Sequence, residues 1–91
     1  MTGRDADASA TARLEKLAAE INDRQYSARL VANPGRHPRL RVTNRIAAQL
    51  TEDIYCGGGF YWWGWAERIG PVADVAAAAA VIARVLAARE S

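Results

Sequence analysis

Cysteine and histidine each occur once in the 91 residues. A single cysteine excludes an intrachain disulfide and a cysteine-based metal cluster, and it is typical of a protein from a reducing compartment. The longest apolar run, residues 75–83, is too short to span a bilayer. The N-terminus carries two early Asp residues and no apolar segment, so we expect no secretory signal. We therefore expect a cytoplasmic protein with no metal, no cofactor and no membrane association.

Lysine is equally scarce, because eleven of the twelve basic residues are Arg and the exception is Lys16. Six of the arginines lie between residues 24 and 45, a window without Asp or Glu. The abundance of Arg and Ala is typical of a high-GC genome, so the Arg bias alone does not indicate a binding site. The net charge is only +2.

The hydrophobic pattern predicts a helix, four strands and a second helix. The first helix starts near Ser9 or Thr11 and ends around residues 22–24, after a disordered tail at residues 1–8. The predicted strands cover residues 26–32, 39–43, 54–56 and 60–69, and residues 43–53 fit either a helical turn or a loop. Asp74 is the predicted N-cap of the last helix. Residues 9–91 thus form one domain.

This order, α-β-β-β-β-α, predicts an α+β fold, because each link between strands is short enough for antiparallel pairing. The expected architecture is a two-layer sandwich with one antiparallel sheet and both helices packed on one face. The other face of the sheet is then uncovered in the isolated chain.

Five of the six residues in the segment FYWWGW, residues 60–65, are aromatic. On a strand, Phe60 and Trp62 point to one face, while Tyr61, Trp63 and Trp65 point to the other. We expect Tyr61, Trp63 and Trp65 to form the interface of a homodimer or of a complex with a partner protein. Two alternatives stay open: Phe60 and Trp62 are the exposed set, or the sheet curls and most of the aromatics are core.

The arginines of the first hairpin support a second hypothesis. Arg29, Arg39, Arg41 and Arg45 could contact phosphates, which would make the chain a nucleic-acid-binding accessory protein. The alternative interpretation is a solvated hairpin face whose charges protect the sheet from aggregation.

The sequence shows no catalytic constellation. A nucleophilic role for Cys56 would require a base such as His37 nearby, and the sequence does not place the two together. Glu52 and Asp53 are adjacent in the chain, so on a strand they would point to opposite faces, and we expect them in a solvated loop and not as an acid/base pair. We expect a non-enzyme that acts by binding, in a chaperone-like or regulatory accessory role.

The segments RLRVTN, TEDIYC and YWWGWAERIGPVADVAAAAAVIARVL resemble those of a group of small actinobacterial α+β proteins. Their shared features are an N-terminal helix, a Trp-rich strand and an Ala-rich C-terminal helix. The resemblance covers residues 13–88 and implies a bacterial cytoplasmic setting, but it assigns no activity and no site residues. A looser likeness at the level of the fold is to secretion-chaperone-type dimers, which also expose a sheet.

Overall fold

The structure is a computed structural model that describes residues 2–23 and 25–87, with side chains from residue 8 onward except Arg24. In chain order its elements are α1 (Thr2–Ile21), β1 (Tyr26–Val31), β2 (Arg39–Asn44), β3 (Thr51–Gly57), β4 (Phe60–Trp63), β5 (Arg68–Pro71) and α2 (Val75–Val85).

The five strands form one antiparallel sheet in which every strand pairs with its neighbours in the chain, in the order β1-β2-β3-β4-β5. The predicted turn between β1 and β2 is confirmed, since Gly35 has a φ of 76° and the Arg36 N–H donates to the Asn33 carbonyl at 3.1 Å. Glycine suits this position because it adopts positive φ without steric cost. The α+β fold and the antiparallel sheet are therefore confirmed.

The prediction of a single strand over residues 60–69 is wrong. The chain reverses through a three-residue loop, residues 64–66, which lies between Trp63 and Glu67, and β5 begins at Arg68. The Trp63 N–H donates to the Glu67 carbonyl at 2.8 Å, and the Ala66 N–H donates to the Trp63 carbonyl at 2.9 Å. Loops of this length commonly end in a left-handed residue, and here that residue is Ala66, with a φ of 70°. Glycine usually marks this position, so the sequence carries no clear signal for the turn.

The ambiguous segment between residues 43 and 53 is also settled. β2 continues to Asn44 and β3 begins at Thr51, which makes the third strand longer than predicted. Between them lie bends and a turn closed by a hydrogen bond from the Leu50 N–H to the Ala47 carbonyl at 2.9 Å. The segment is a loop and not a helix.

The start of the first helix differs from the prediction. α1 begins at Thr2, ahead of the predicted start at Ser9 or Thr11, so most of the predicted tail belongs to the helix. Ala6 and Ala8 have high helical propensity and favour this extension, whereas Gly3 opposes it. In α2 the predicted cap is confirmed, because the Asp74 carboxylate accepts from the Ala77 N–H at 3.1 Å. Val85 of α2 is half exposed, whereas Ile82 and Leu86 are buried.

The two helices cover one face of the sheet. α1 packs against β1, β2 and β3, and α2 packs against α1 and β5. The buried side chains come from one stripe of each helix and from alternate positions of the strands. The hydrophobic core consists of Leu14, Leu17, Ile21, Tyr26, Leu40, Val42, Ile54, Tyr61, Trp63, Ala78, Ile82 and Leu86.

One buried polar side chain connects three parts of this fold. Asn44, at the end of β2, is fully buried. Its Nδ2 donates to the Leu86 carbonyl at the end of α2 (2.8 Å), and its Oδ1 accepts from the N–H groups of Ile46 and Ala47 (2.9 and 3.1 Å). Every hydrogen-bonding group of this amide side chain thus acts between the sheet, the loop after β2 and the second helix.

We predict that Asn44→Ala lowers the free energy of unfolding by about 3 kcal/mol, because it leaves one carbonyl and two N–H groups without partners in a buried site. Gln49→Ala in the same loop is the matched control, since that amide side chain is exposed. Urea denaturation of both variants measures the difference. Equal, small effects of the two substitutions would contradict a structural role for Asn44.

Candidate functional site

The aromatic residues of β4 are divided between the two faces of the sheet, as the strand period requires. Tyr61 is fully buried and Trp63 is 4% exposed, both beneath the helices. Phe60 and Trp62 are half-buried on the opposite face, which neither helix covers. The prediction that Tyr61 and Trp63 form an exposed interface is therefore wrong, and the alternative set, Phe60 and Trp62, lies on the uncovered face.

Tyr61 and Trp63 act in the core. The Tyr61 hydroxyl donates to the Arg13 carbonyl of α1 at 2.8 Å, and burial raises the pKa of this phenol. Trp63 stacks on Trp65 with ring centroids 4.8 Å apart and planes 6° apart. Trp65 is half exposed, but it lies in the β4–β5 turn, where its indole N–H donates to Glu67 at 2.9 Å. The Trp65 ring thus covers the Trp63 ring.

The uncovered face, which we call the open face, carries three aromatic residues, Tyr55, Phe60 and Trp62. Trp62 lies opposite Tyr55 of β3, and Phe60 meets Trp62 edge to face at 6.3 Å. The Arg68 guanidinium lies 4.7 Å from the centre of the Phe60 ring, within the range of a cation–π interaction. The Trp62 indole N–H donates to the Gly57 carbonyl at 2.9 Å. These contacts fix the orientation of the Phe60 and Trp62 rings.

Beside the aromatic residues lies a cluster of arginines around one carboxylate. Asp53 accepts a hydrogen bond from the Arg41 Nε at 3.0 Å and forms an ion pair with the Arg39 Nε at 3.2 Å. Arg29 lies opposite Arg41 on β1 and has an exposed side chain. With Arg68, the strands place four Arg and one Asp on the open face, which is therefore electropositive although the chain is nearly neutral.

Three of the four arginines predicted as phosphate contacts lie on this face, and the fourth does not. Arg45 follows β2, and its Nε donates to the Asp23 carbonyl at 2.9 Å and to the Tyr26 carbonyl at 3.2 Å. These hydrogen bonds from its guanidinium connect the start of β1 to the end of β2. Arg45 would lie on the same face as Arg39 and Arg41 only if the strand continued past residue 44. β2 ends at Asn44, so Arg45 leaves that face. Arg24 lies outside the described residues.

Three depressions of about 490, 560 and 530 Å³ adjoin the open face, and Tyr55 lines all of them. The second lies between Tyr55, Asp53 and Trp65, and the third lies between Tyr55, Arg39 and the β1–β2 turn. Tyr55 belongs to β3, the central strand of the sheet. The open face is therefore centred on this residue.

The first depression, which we call the hairpin-end cleft, lies where the β1–β2 and β3–β4 turns approach α1. Its lining includes Arg13, His37, Tyr55, Cys56 and Trp62. The structure thus brings Cys56 and His37 to one cleft, which the sequence did not predict. Burial raises the pKa of the Cys56 thiol despite the opposing effect of Arg13, so the thiol is protonated at neutral pH and is a poor nucleophile.

Sequence reasoning missed Tyr55, Asp53 and Arg68 as residues of the exposed surface. The signal for Tyr55 was its position between Ile54 and Cys56, two apolar residues that alternate with it on a strand. No comparable signal identified Arg68, because β5 was not recognised as a separate strand. Asp53 was interpreted as a solvated loop residue, whereas it lies on β3 between two arginines.

The chain matches no protein-family model, no curated protein and no solved structure at a significant level. Within residues 2–23 and 25–87, neither helix has the length and apolar character needed to cross a bilayer. In the same part of the chain, His, Cys, Asp and Glu nowhere form a group of three or more that could hold a metal ion.

Two adjacent tryptophans provide a test of which face is covered. We predict that Trp63→Ser lowers the free energy of unfolding by about 3–5 kcal/mol, because it leaves a cavity in the core. Trp62→Ser removes a half-buried ring and should cost about 1–2 kcal/mol. Urea unfolding of the two variants measures the difference, and a larger loss for Trp62→Ser would overturn the assignment of the faces.

Proposed function

We propose that this protein is a non-catalytic interaction module of the cytoplasm that binds a partner protein through the open face. The observation that carries the proposal is the group of Tyr55, Phe60 and Trp62 on a sheet face that neither helix covers. A contiguous aromatic surface of this kind is characteristic of a protein-binding site. A single, half-buried thiol is compatible with a reducing compartment.

The chemical composition of the open face supports this proposal. Tyrosine, tryptophan and arginine are the residues that most often dominate the energy of protein interfaces. Here the indole of Trp62 and the guanidinium groups of Arg39 and Arg41 already have intramolecular partners. Side chains held in place before binding lose less conformational entropy when a partner docks.

The first edge of the sheet is poorly suited to binding an added strand. The Asn22 side chain accepts from the Ala28 N–H at 2.9 Å and donates to the Ala28 carbonyl at 3.1 Å. The Asp23 carboxylate accepts from the Tyr26 N–H at 2.8 Å. These polar groups occupy positions that an incoming strand would need. A partner would therefore bind across the face and not along β1.

Charge favours a partner with an acidic surface over a second copy of the chain. A two-fold contact between two open faces would bring together two sets of four arginines with only one Asp in each set. Like charges buried opposite each other cost several kcal/mol. An acidic partner instead supplies carboxylates for Arg29 and for the exposed side of Arg41.

The test combines solution mass with partner capture. We predict that light scattering behind size exclusion gives a monomer, because self-association through the open face is repulsive. In capture from a lysate of the source cells, proteins retained by the wild-type chain should be lost with Tyr55→Ser and Trp62→Ser. Reconstitution with the purified partner should then show at least a tenfold loss of affinity for either variant.

Ile46→Ser is the matched control, because Ile46 is 78% exposed in the loop after β2 and not on a strand of the sheet. This variant should retain the partner. A stable dimer that Trp62→Ser dissociates would instead identify a second copy as the occupant of the open face. Equal loss of binding with Ile46→Ser would refute a specific role of the open face.

A second candidate function is nucleic-acid binding, which the positions of Arg29 and Arg41 favour. These residues lie opposite each other on neighbouring strands, and Arg41 lines one depression of the open face together with Tyr55. Cations beside exposed aromatic rings suit a single strand, whose bases stack while its phosphates meet the arginines. Asp53 opposes this function, because it partly neutralises Arg39 and Arg41.

If the chain binds nucleic acid, the affinity for a labelled oligothymidylate should fall with salt with a logarithmic slope of about −2, as expected for three phosphate contacts. Asp53→Asn should strengthen binding and Arg29→Gln should weaken it. Gel-shift titrations at a series of salt concentrations, beginning at low salt, measure all three properties, with a mixed-sequence duplex in parallel. The absence of a shift at micromolar protein would exclude this function.

A further inference from the structure

The hairpin-end cleft differs from the open face in its charged groups. Its lining holds one permanently charged side chain, Arg13 of α1, and no carboxylate. No ion pair of the described residues involves Arg13, whereas Arg39 and Arg41 share Asp53. Arg13 approaches the Cys56 thiol, which is a neutral partner. The cleft therefore offers a guanidinium group that no carboxylate of its lining neutralises.

Hydrogen bonds hold residues of the cleft wall in place. The Tyr61 hydroxyl holds the Arg13 carbonyl at 2.8 Å, and the Trp62 indole N–H holds the Gly57 carbonyl at 2.9 Å. Tyr55 lies opposite Trp62 on the neighbouring strand, so two aromatic side chains border the space. A volume of about 490 Å³ is within the range of small-molecule pockets.

We infer that the hairpin-end cleft binds a small aromatic carboxylate, with the carboxylate on Arg13 and the ring against Tyr55 and Trp62. Guanidinium groups match carboxylates in both charge and geometry. The planar ring of such a ligand can pack against the aromatic side chains of the lining. This inference does not depend on the binding of a partner protein, although Tyr55 and Trp62 contribute to both surfaces.

The test uses indole-3-acetate and its uncharged amide as a matched pair of probes. We expect titration of the acid to shift the backbone amide resonances of residues 9–13 and 56–58. The amide should bind about tenfold more weakly, since a hydrogen bond to a charged group contributes about 1.4 kcal/mol more than its neutral counterpart.

The single cysteine gives a second measurement. Cys56 lines the cleft and is the only site for iodoacetamide, so its alkylation reports directly on occupancy. Bound acid should slow alkylation at least fivefold, and the same acid should leave the rate unchanged in the urea-unfolded chain. Alkylation at the same rate with and without the acid would place the ligand elsewhere.

Three variants separate this site from general electrostatic attraction. Arg13→Gln removes the anchor and should abolish the preference for the acid, while Tyr61 still bonds to the backbone carbonyl at that position. Ser9→Leu fills the cleft from an exposed helical position and should weaken both probes. Arg29→Gln removes the same charge from the open face and should change neither probe.

The outcomes decide between the proposals. Loss of acid binding in Arg13→Gln but not in Arg29→Gln supports the cleft whether or not the open face binds a partner. Equal losses in the two variants, or no resonance shift at millimolar acid, overturn the inference and leave the proposed function unaffected. Loss of partner binding in Arg29→Gln with normal binding of the acid would separate the two surfaces directly.

Discussion

Two helices can cover only one face of a five-stranded sheet, and this constraint governs the rest of the structure. Strand side chains alternate between faces, so each strand must present one set of residues to the helices and another to the outside. β4 carries aromatic residues in both sets. Tyr61 and Trp63 fill the core, and Phe60 and Trp62 are left on the open face together with Tyr55. The half-buried aromatic group on the open face is thus a direct consequence of the strand sequence and the number of helices.

Polar side chains of the covered face hold the helices in place over the sheet. The Tyr61 hydroxyl bonds to the Arg13 carbonyl of α1, and the Tyr26 hydroxyl bonds to the Ala83 carbonyl of α2. Asn44 bonds to the Leu86 carbonyl just beyond α2. Each bond is accepted by a backbone carbonyl of a helix or of the residue that caps it. Apolar packing alone would allow the helices to slide over the sheet, and these directional bonds fix their positions. The same contacts determine the position of Arg13 at the hairpin-end cleft.

The period of the aromatic segment could be predicted from the sequence, but the face that each set occupies could not. The deciding quantity is the register between β3 and β4, which depends on the length of the loop among three glycines. The two-residue loop of Gly58 and Gly59 places Trp63 opposite the buried Ile54. A three-residue loop that included Gly57 would place Trp62 there instead and exchange the two faces. Glycines permit both loops, so the sequence contains no local preference between them.

The salt bridges on the open face bear on the kind of partner proposed for it. One carboxylate, Asp53, fixes the planes of Arg39 and Arg41 and removes about one unit of charge. For a nucleic acid, which gains most from uncompensated cations, this arrangement is a disadvantage. For a protein partner it is an advantage, because oriented guanidinium groups next to fixed aromatic rings offer a geometrically defined surface at low entropic cost. The position of Asp53 thus favours recognition by shape and contact over attraction by charge alone.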